Sequence, residues 1–132
     1  MSSMFNDATA TEVVVFTRGF AQLVKEGQSL VRSLLALGNQ QSNPSFCEAI
    51  EKINQEVQEG QTLSRALSHQ PLFFNENYVK AVRLGEVSAE LEIVLQRLAA
   101  GEEIDVDAET ETVLQRLAKA AYKGHQQGHS TD

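Results

Sequence analysis

The chain has 132 residues and a formal net charge of −7 at neutral pH. A chain of this length buries roughly two thirds of its unfolded surface, so we expect a single domain that folds unaided. The acidic balance argues against a general affinity for nucleic acid, because phosphate binding requires a basic surface.

Apolar residues recur at helical spacing along the first hundred residues, and glycine or proline interrupts the pattern. Thr9 with Glu12 forms a capping-box pattern before the first helix, and Asn43-Pro44 begins the third. The six predicted helices are residues 10–26, 29–37, 43–57, 63–69, 75–85 and 88–98. We therefore expect an all-α fold, a six-helix bundle of three antiparallel helix hairpins, with an extra C-terminal helix.

A turn sequence repeats along the chain, since Glu-Gly-Gln-Ser-Leu at 26–30 returns as Glu-Gly-Gln-Thr-Leu at 59–63. In each copy the glycine, Gly27 or Gly60, is predicted to end one helix, and the Ser or Thr two positions later to cap the next. Gly85 is the third predicted turn, with Ser88 as the following cap. A tandem helical repeat is the alternative fold, although such arrays need three copies.

The composition changes after residue 100. Between Gly101 and Glu111 there are six acids and no base, which predicts a solvated linker or a helix start. Beyond it, apolar residues from Val113 to Ala121 predict an amphipathic helix that ends at Gly124. The expected organisation is a helical bundle over 1–100, an acidic linker plus helix over 101–124, and a disordered tail over 125–132.

A hexapeptide in this helix also occurs earlier in the chain. Val-Leu-Gln-Arg-Leu-Ala at 94–99 returns unchanged at 113–118. A duplicated terminal helix would explain the identity, and so would a chance match of common helix formers.

The cellular compartment is suggested by what the sequence lacks. Cys47 is the single cysteine, so an internal disulfide is excluded and a reducing, cytoplasmic location is expected. The N-terminus has no signal-peptide pattern. No apolar run approaches the roughly 18 residues of a membrane span, so we expect association with a membrane only through a partner.

Residues with a recognisable order and spacing extend from 13 to 98. They are Phe16-Thr17-Arg18, Leu23, Gly27, Leu30, Asn43-Pro44, Val57, Gly60, Leu63-Ser64, Ala66-Leu67, Pro71, Gly85-Glu86, Ser88 and Leu91. Together they resemble the cytoplasmic domain of the type II secretion and type IV pilus inner-membrane platform proteins. The last four are similar to that family's Gly-Glu-x-Ser-Gly-x-Leu signature.

The resemblance implies a six-helix bundle that docks with other components of a secretion or pilus machine, such as its ATPase or a platform protein. Two departures stand out. Ala89 stands at the position of the second glycine of the signature, which predicts a looser turn. Family members usually have several hundred residues, two such domains and three membrane spans, whereas we expect a single, membrane-free copy here.

Residues suited to catalysis are poorly placed. Cys47 lies on a helix with an apolar stripe and is expected in or beside the core. His69 lies at a helix end, where a structural role is expected, and His125 and His129 are assigned to the tail. A small acid-base or metal enzyme is therefore the third hypothesis, and we expect a non-catalytic protein.

Alternating acids in the acidic segment suggest a calcium loop but do not complete one. A glycine and a glutamate should follow at the sixth and twelfth positions, where Thr110 and Arg116 stand. No cofactor is expected, with weak binding of a divalent cation such as calcium as the alternative. The acids concerned are Asp105, Asp107, Glu109 and Glu111.

Glu86 is the acid that the family resemblance singles out. It is interpreted either as a polar contact or metal ligand at a subunit interface, with Glu90 one turn on, or as an acid that favours a helix start. Arg18 and Phe20 complete the predicted partner-binding residues, although the periodicity of Phe20 fits a core position too.

The first hypothesis for function is a non-catalytic protein-protein interaction and assembly module, acting as a soluble component or regulator related to the platform proteins. The alternative is a stand-alone helical adaptor, unrelated to secretion, that binds a basic partner through its acidic C-terminal segment. A homodimer is also expected, because short helices often complete their apolar burial on a neighbouring subunit.

Overall fold

The computed structural model describes the backbone of residues 2–130 and the side chains of residues 10–121. The described chain forms seven helices and no strand. They are α1 (Ser2–Lys25), α2 (Leu30–Asn39), α3 (Pro44–Gln58), α4 (Leu63–Ser68), α5 (Glu76–Ser88), α6 (Leu91–Ala99) and α7 (Val106–Ser130). The side chains of Thr9, His125 and His129 lie outside the described residues, and the predicted disordered tail, 125–132, stays a prediction.

Short polar side chains start four of these helices. Ser29 and Thr62 accept hydrogen bonds from backbone N–H groups three residues ahead, at 3.1 and 3.2 Å. Asn43 and Asn75 accept in the same way at the starts of α3 and α5, at 2.9 and 2.8 Å. These caps satisfy N–H groups that have no partner within a helix.

The start of the first helix and the end of the last differ from the predictions. The first helix begins at Ser2 instead of residue 10, so Thr9 is not its cap. Glu12 accepts two hydrogen bonds from Asn43 Nδ2, at 3.0 and 3.1 Å, and so joins α1 to the start of α3. The last helix continues past Gly124 to Ser130, because a glycine ends a helix only where it takes a non-helical conformation.

The first six helices form a closed ring of neighbours. Each packs on the next along the chain, and α6 packs on α1. Phenylalanines fill the centre, where the ring of Phe16 lies 5.5 to 5.7 Å from those of Phe20, Phe46 and Phe74. Edge-on contacts of this kind add to the stabilisation from apolar burial. The expected all-α bundle is confirmed.

The seventh helix lies outside this ring and, among the described residues, packs on α5. A second buried cluster attaches it, made of Ala81, Val94, Ile104 and Val106. This cluster includes Ile104 and Val106 from the acidic segment. Part of that segment is therefore buried, which the prediction of a solvated linker did not include.

Candidate protein interaction site

The junction between α5 and α6 carries the Gly85 to Leu91 motif. We predicted that Gly85 would end α5 and that Ser88 would cap α6, and both predictions are wrong. The helix continues to Ser88, whose Oγ donates to the carbonyl oxygen of Leu84 at 2.8 Å. The helix ends instead at Ala89, which has left-handed φ and ψ of 59° and 31°.

The turn at Ala89 is closed. The Glu90 N–H donates to the Gly85 carbonyl at 2.8 Å, which is the hydrogen bond of a Schellman motif. The looser turn expected without a glycine is therefore absent. Alanine at this position instead costs conformational energy, because a left-handed non-glycine residue is disfavoured by roughly 1 to 2 kcal/mol.

Gly85 has a different role within α5. A Cβ at this position would lie 2.9 Å from Leu91 Cα and 3.1 Å from Val94 Cγ2. The missing side chain therefore allows α6 to lie directly against the α5 backbone. By contrast, Gly27 and Gly60 end α1 and α3 with positive φ of 89° and 100°.

Glu86 points toward α4. Its Oε2 accepts the backbone N–H of Ser64 at 3.0 Å, and its Oε1 accepts the Ser64 hydroxyl at 2.5 Å. Ser64 is the second residue of α4 and is 2% exposed, so its N–H depends on Glu86 for an acceptor, whereas its Oγ also lies 3.3 Å from Thr62 Oγ1. Glu86 thus acts at a helix start, but that helix is α4 rather than α6.

Glu90 lies apart from Glu86. It occupies the cap position of α6 without a side-chain capping bond, and its Oε1 lies 3.9 Å from Arg116 Nη1 of α7. Nowhere in the described part of the chain do three His, Cys, Asp or Glu side chains come together as a metal site. Metal binding by Glu86, and weak binding of calcium, stay predictions.

The two predicted contact residues of α1 lie in opposite environments. Phe20 is 1% exposed and packs in the ring of helices, so the alternative of a core position holds and a partner cannot reach it. Arg18 is exposed and forms no ion pair with any side chain that the structure describes. Of the predicted contact residues, Arg18 is thus exposed, and Glu86 and Glu90 are half-buried.

The candidate nucleophile and base are held in structural contacts. Burial and the neighbouring Glu51 carboxylate raise the pKa of the Cys47 thiol, whose Sγ donates to the Gly38 carbonyl at 3.4 Å. His69 Nδ1 contacts Glu56 Oε1 at 2.5 Å, which joins the ends of α3 and α4.

An ionic contact attaches α7 to α6. Arg97 donates from Nη1 and Nη2 to the two oxygens of Glu109, at 2.9 and 2.7 Å, and from Nε to Glu102 at 3.1 Å. The hydrogen bonds from Arg97 lower the pKa of Glu109 below its ordinary value. Two parallel hydrogen bonds fix the relative orientation of the Arg97 and Glu109 side chains as well as their distance.

A surface that sequence reasoning missed lies where α7 meets α5. A hollow of about 270 Å³ is lined by apolar side chains that include Val87 and Leu114, which are 52% and 56% exposed. Lys80, Arg83 and Asp107 line it too. The repeated hexapeptide was the available signal, since the first two residues of its second copy, Val113 and Leu114, border this hollow.

None of the helices in the described residues is long and apolar enough to cross a membrane. The fold and the junction define an all-α bundle in which six helices close a ring and a Gly-Glu motif joins α4, α5 and α6. Residues 16–122 match the family described as Type II secretion system (T2SS), protein F. The chain belongs to this family, which confirms the resemblance and extends it into α7.

The chain is similar in sequence to proteins named for two kinds of machine. The chain is 38% identical over 99 residues to the type IV pilus assembly protein PilC of Myxococcus xanthus, covering 75% of this chain and 24% of the relative. It is 35% identical over 88 residues to the type II secretion system protein F of Vibrio cholerae, covering 67% and 22%. The chain thus spans about a quarter of the length of these relatives.

Proposed function

We propose that this chain is a non-catalytic assembly module of a type IV pilus or type II secretion platform, acting through contacts with another protein. Membership of the family carries the proposal, because the relatives are named as pilus assembly and secretion proteins. The Gly-Glu motif supports it as well. The Glu86 carboxylate of this motif accepts hydrogen bonds from the start of α4, so the motif positions the surface that a partner would contact.

The expected partner is the motor ATPase of the machine or a full-length platform protein, which would bring this chain to the inner face of the cell membrane. Arg18 is the candidate contact on α1, since it is exposed and free of ion pairs within the described side chains. Glu90 is the candidate at the junction.

A crosslinked pull-down tests the proposal. The tagged full chain is expressed in its native cells, crosslinked, and purified, and mass spectrometry identifies the proteins recovered. We expect a pilus or secretion ATPase, or a platform protein, and weaker recovery with Arg18→Ala. Arg32→Ala is the matched control, because Arg32 is exposed on α2. Recovery of neither protein, with good bait yield, would contradict the proposal.

The alternative function is an adaptor that binds a basic partner through the acidic segment. Glu103, Asp107 and Glu111 favour it, since they are exposed and form no ion pair with the described side chains. Deleting the segment would be a poor test, because Ile104 and Val106 are buried. Replacing the three acids by Gln, Asn and Gln keeps the fold, and loss of the recovered partner would select the adaptor.

A further inference from the structure

The two copies of the repeated hexapeptide lie in different environments. In α6, Val94 and Leu95 are 3% and 0% exposed. In α7, the matching Val113 is 6% exposed, but the matching Leu114 is 56% exposed. The first two apolar side chains of the hexapeptide are therefore both buried in α6, whereas only the first is buried in α7.

The difference follows from the neighbours of each helix. Both α6 and α7 pack on α5, and the valine of each copy is buried. In addition, α6 packs on α1, and Leu95 joins the core that holds Phe16 and Phe20. Among the described residues, α7 has no helix in the place that α1 takes beside α6.

The uncovered surface on α7 is continuous with α5. Leu114 and Leu117 are 56% and 47% exposed, Ala118 and Ala121 are exposed, and Val87 of α5 lies beside Leu114 at the hollow. We call these five residues the docking face. A contiguous apolar surface of this kind is typical of an interaction site.

Charges of both signs border the docking face: Lys80 and Arg83 of α5 line the hollow, and the acids lie on α7. Asp107 and Glu111 precede Leu114 by seven and three residues, so they continue the same helical stripe toward the N-terminus of α7. Both are exposed, and neither forms an ion pair with the described side chains. A complementary partner carries apolar residues that end in Lys or Arg.

We propose that the docking face binds an amphipathic α-helix of another protein, in the position beside α7 that α1 occupies beside α6. The incoming helix presents apolar side chains at the spacing of Val13, Phe16 and Phe20, together with a basic residue near Asp107 and Glu111. This inference does not rest on the assignment to a pilus or secretion machine.

A peptide that copies α1 is the probe. We would synthesise residues 10–26 with a fluorescent label, and a second version in which Glu12 and Glu26 are both lysine. Lysine at both ends places a positive charge near Asp107 and Glu111 in either orientation of the peptide. Binding to the full chain is measured by fluorescence anisotropy.

We expect both peptides to bind and the lysine version to bind more tightly. Leu114→Ser with Leu117→Ser should weaken binding by about tenfold or more, because buried apolar anchors dominate interface energies. Leu35→Ser with Leu72→Ser is the matched control, since these leucines are 57% and 61% exposed elsewhere, and it should leave binding unchanged. Asp107→Asn with Glu111→Gln should remove the preference for lysine.

Other outcomes would overturn the proposal. Absence of binding, or equal weakening by the control pair, would show that the docking face takes no such helix. Sedimentation equilibrium of the chain alone would assign the face to a second copy if self-association is lost with Leu114→Ser and Leu117→Ser. Vesicles containing anionic lipid would assign it to a membrane surface if their binding shows the same loss.

Discussion

At the scale of single residues, Glu86 has the clearest measurable role. It accepts two hydrogen bonds from a buried serine at the start of α4. Replacing Glu86 by alanine removes the hydroxyl-carboxylate bond and leaves the buried Ser64 N–H without an acceptor, which costs about 2 kcal/mol of unfolding free energy. Chemical denaturation of the variant would measure this loss.

A double-mutant cycle separates this bond from other effects of Glu86. Ser64→Ala should couple to Glu86→Ala by about 1 kcal/mol, because each change removes the same hydroxyl-carboxylate bond. Glu92→Ala is the control, since Glu92 is exposed on α6. A coupling energy near zero would contradict the structural role.

Ala89 gives the opposite prediction, a stabilising change. Its φ of 59° suits glycine, so Ala89→Gly should raise the free energy of unfolding by about 0.5 to 1 kcal/mol after the entropic cost of glycine. The control is Ala100→Gly, because Ala100 ends α6 with a right-handed φ of −78°. If Ala89→Gly is no more stable than Ala100→Gly, the left-handed residue carries no strain.

Sequence patterns singled out these residues without giving their partners. The spacing of the Gly-Glu motif pointed to Glu86, but gave no sign that its carboxylate accepts from Ser64, 22 residues earlier on another helix. Phe20 shows the same limit, because periodicity places a residue on an apolar stripe and does not say whether that stripe faces the core or a partner.

At the scale of helices, the close contact of α5 and α6 depends on Gly85. A methyl group there would lie within 2.9 Å of the Leu91 backbone, so Gly85→Ala should force the helices apart and cost about 1 to 3 kcal/mol. The melting temperature of the variant reports this cost directly.

Gly38→Ala is the matched control, because Gly38 is also buried inside a helix. The nearest atom to its added Cβ would be Ile50 Cγ2 at 3.4 Å, which is close to ordinary contact. Alanine also favours a helix over glycine, so we expect a change of less than about 1 kcal/mol. Equal destabilisation by the two variants would show that the α5–α6 contact is not special.

Four helix starts were predictable because their signals are local. Ser29, Asn43, Thr62 and Asn75 each bond to a backbone group two or three residues away. The predictions that helices end at Gly85 and Gly124 were wrong, because a glycine within a helical pattern either ends the helix or allows a neighbouring helix to approach closely. Only the packing distinguishes these two roles.

At the scale of the whole molecule, the contacts that close the bundle were beyond the sequence. Helical periodicity predicted the number of helices and the pairing of neighbours along the chain. It could not show that α6 meets α1, or that α7 leaves the ring and lies on α5. Such contacts join residues far apart in the chain, and periodicity gives no information about them.

The attachment of α7 should depend on pH through Glu109. Arg97 lowers the pKa of this carboxyl, so the folded state binds its proton less readily than the unfolded state does. The resulting stabilisation is complete above the ordinary carboxyl pKa and is lost as the pH falls through the lowered value. Amide hydrogen exchange, corrected for intrinsic rates, should show α7 losing protection in that range before α3 does.

Glu109→Gln should reproduce the loss at neutral pH, with protection of α7 reduced by about fivefold and the ring of six helices unchanged. Glu48→Gln is the control, because Glu48 pairs with Lys52 within a single helix at 3.2 Å and touches no other element through that pair. If α7 keeps full protection in Glu109→Gln, buried Val106 and Val113 are enough to hold α7 on α5 without the ionic contact. The predicted pH dependence would then be wrong.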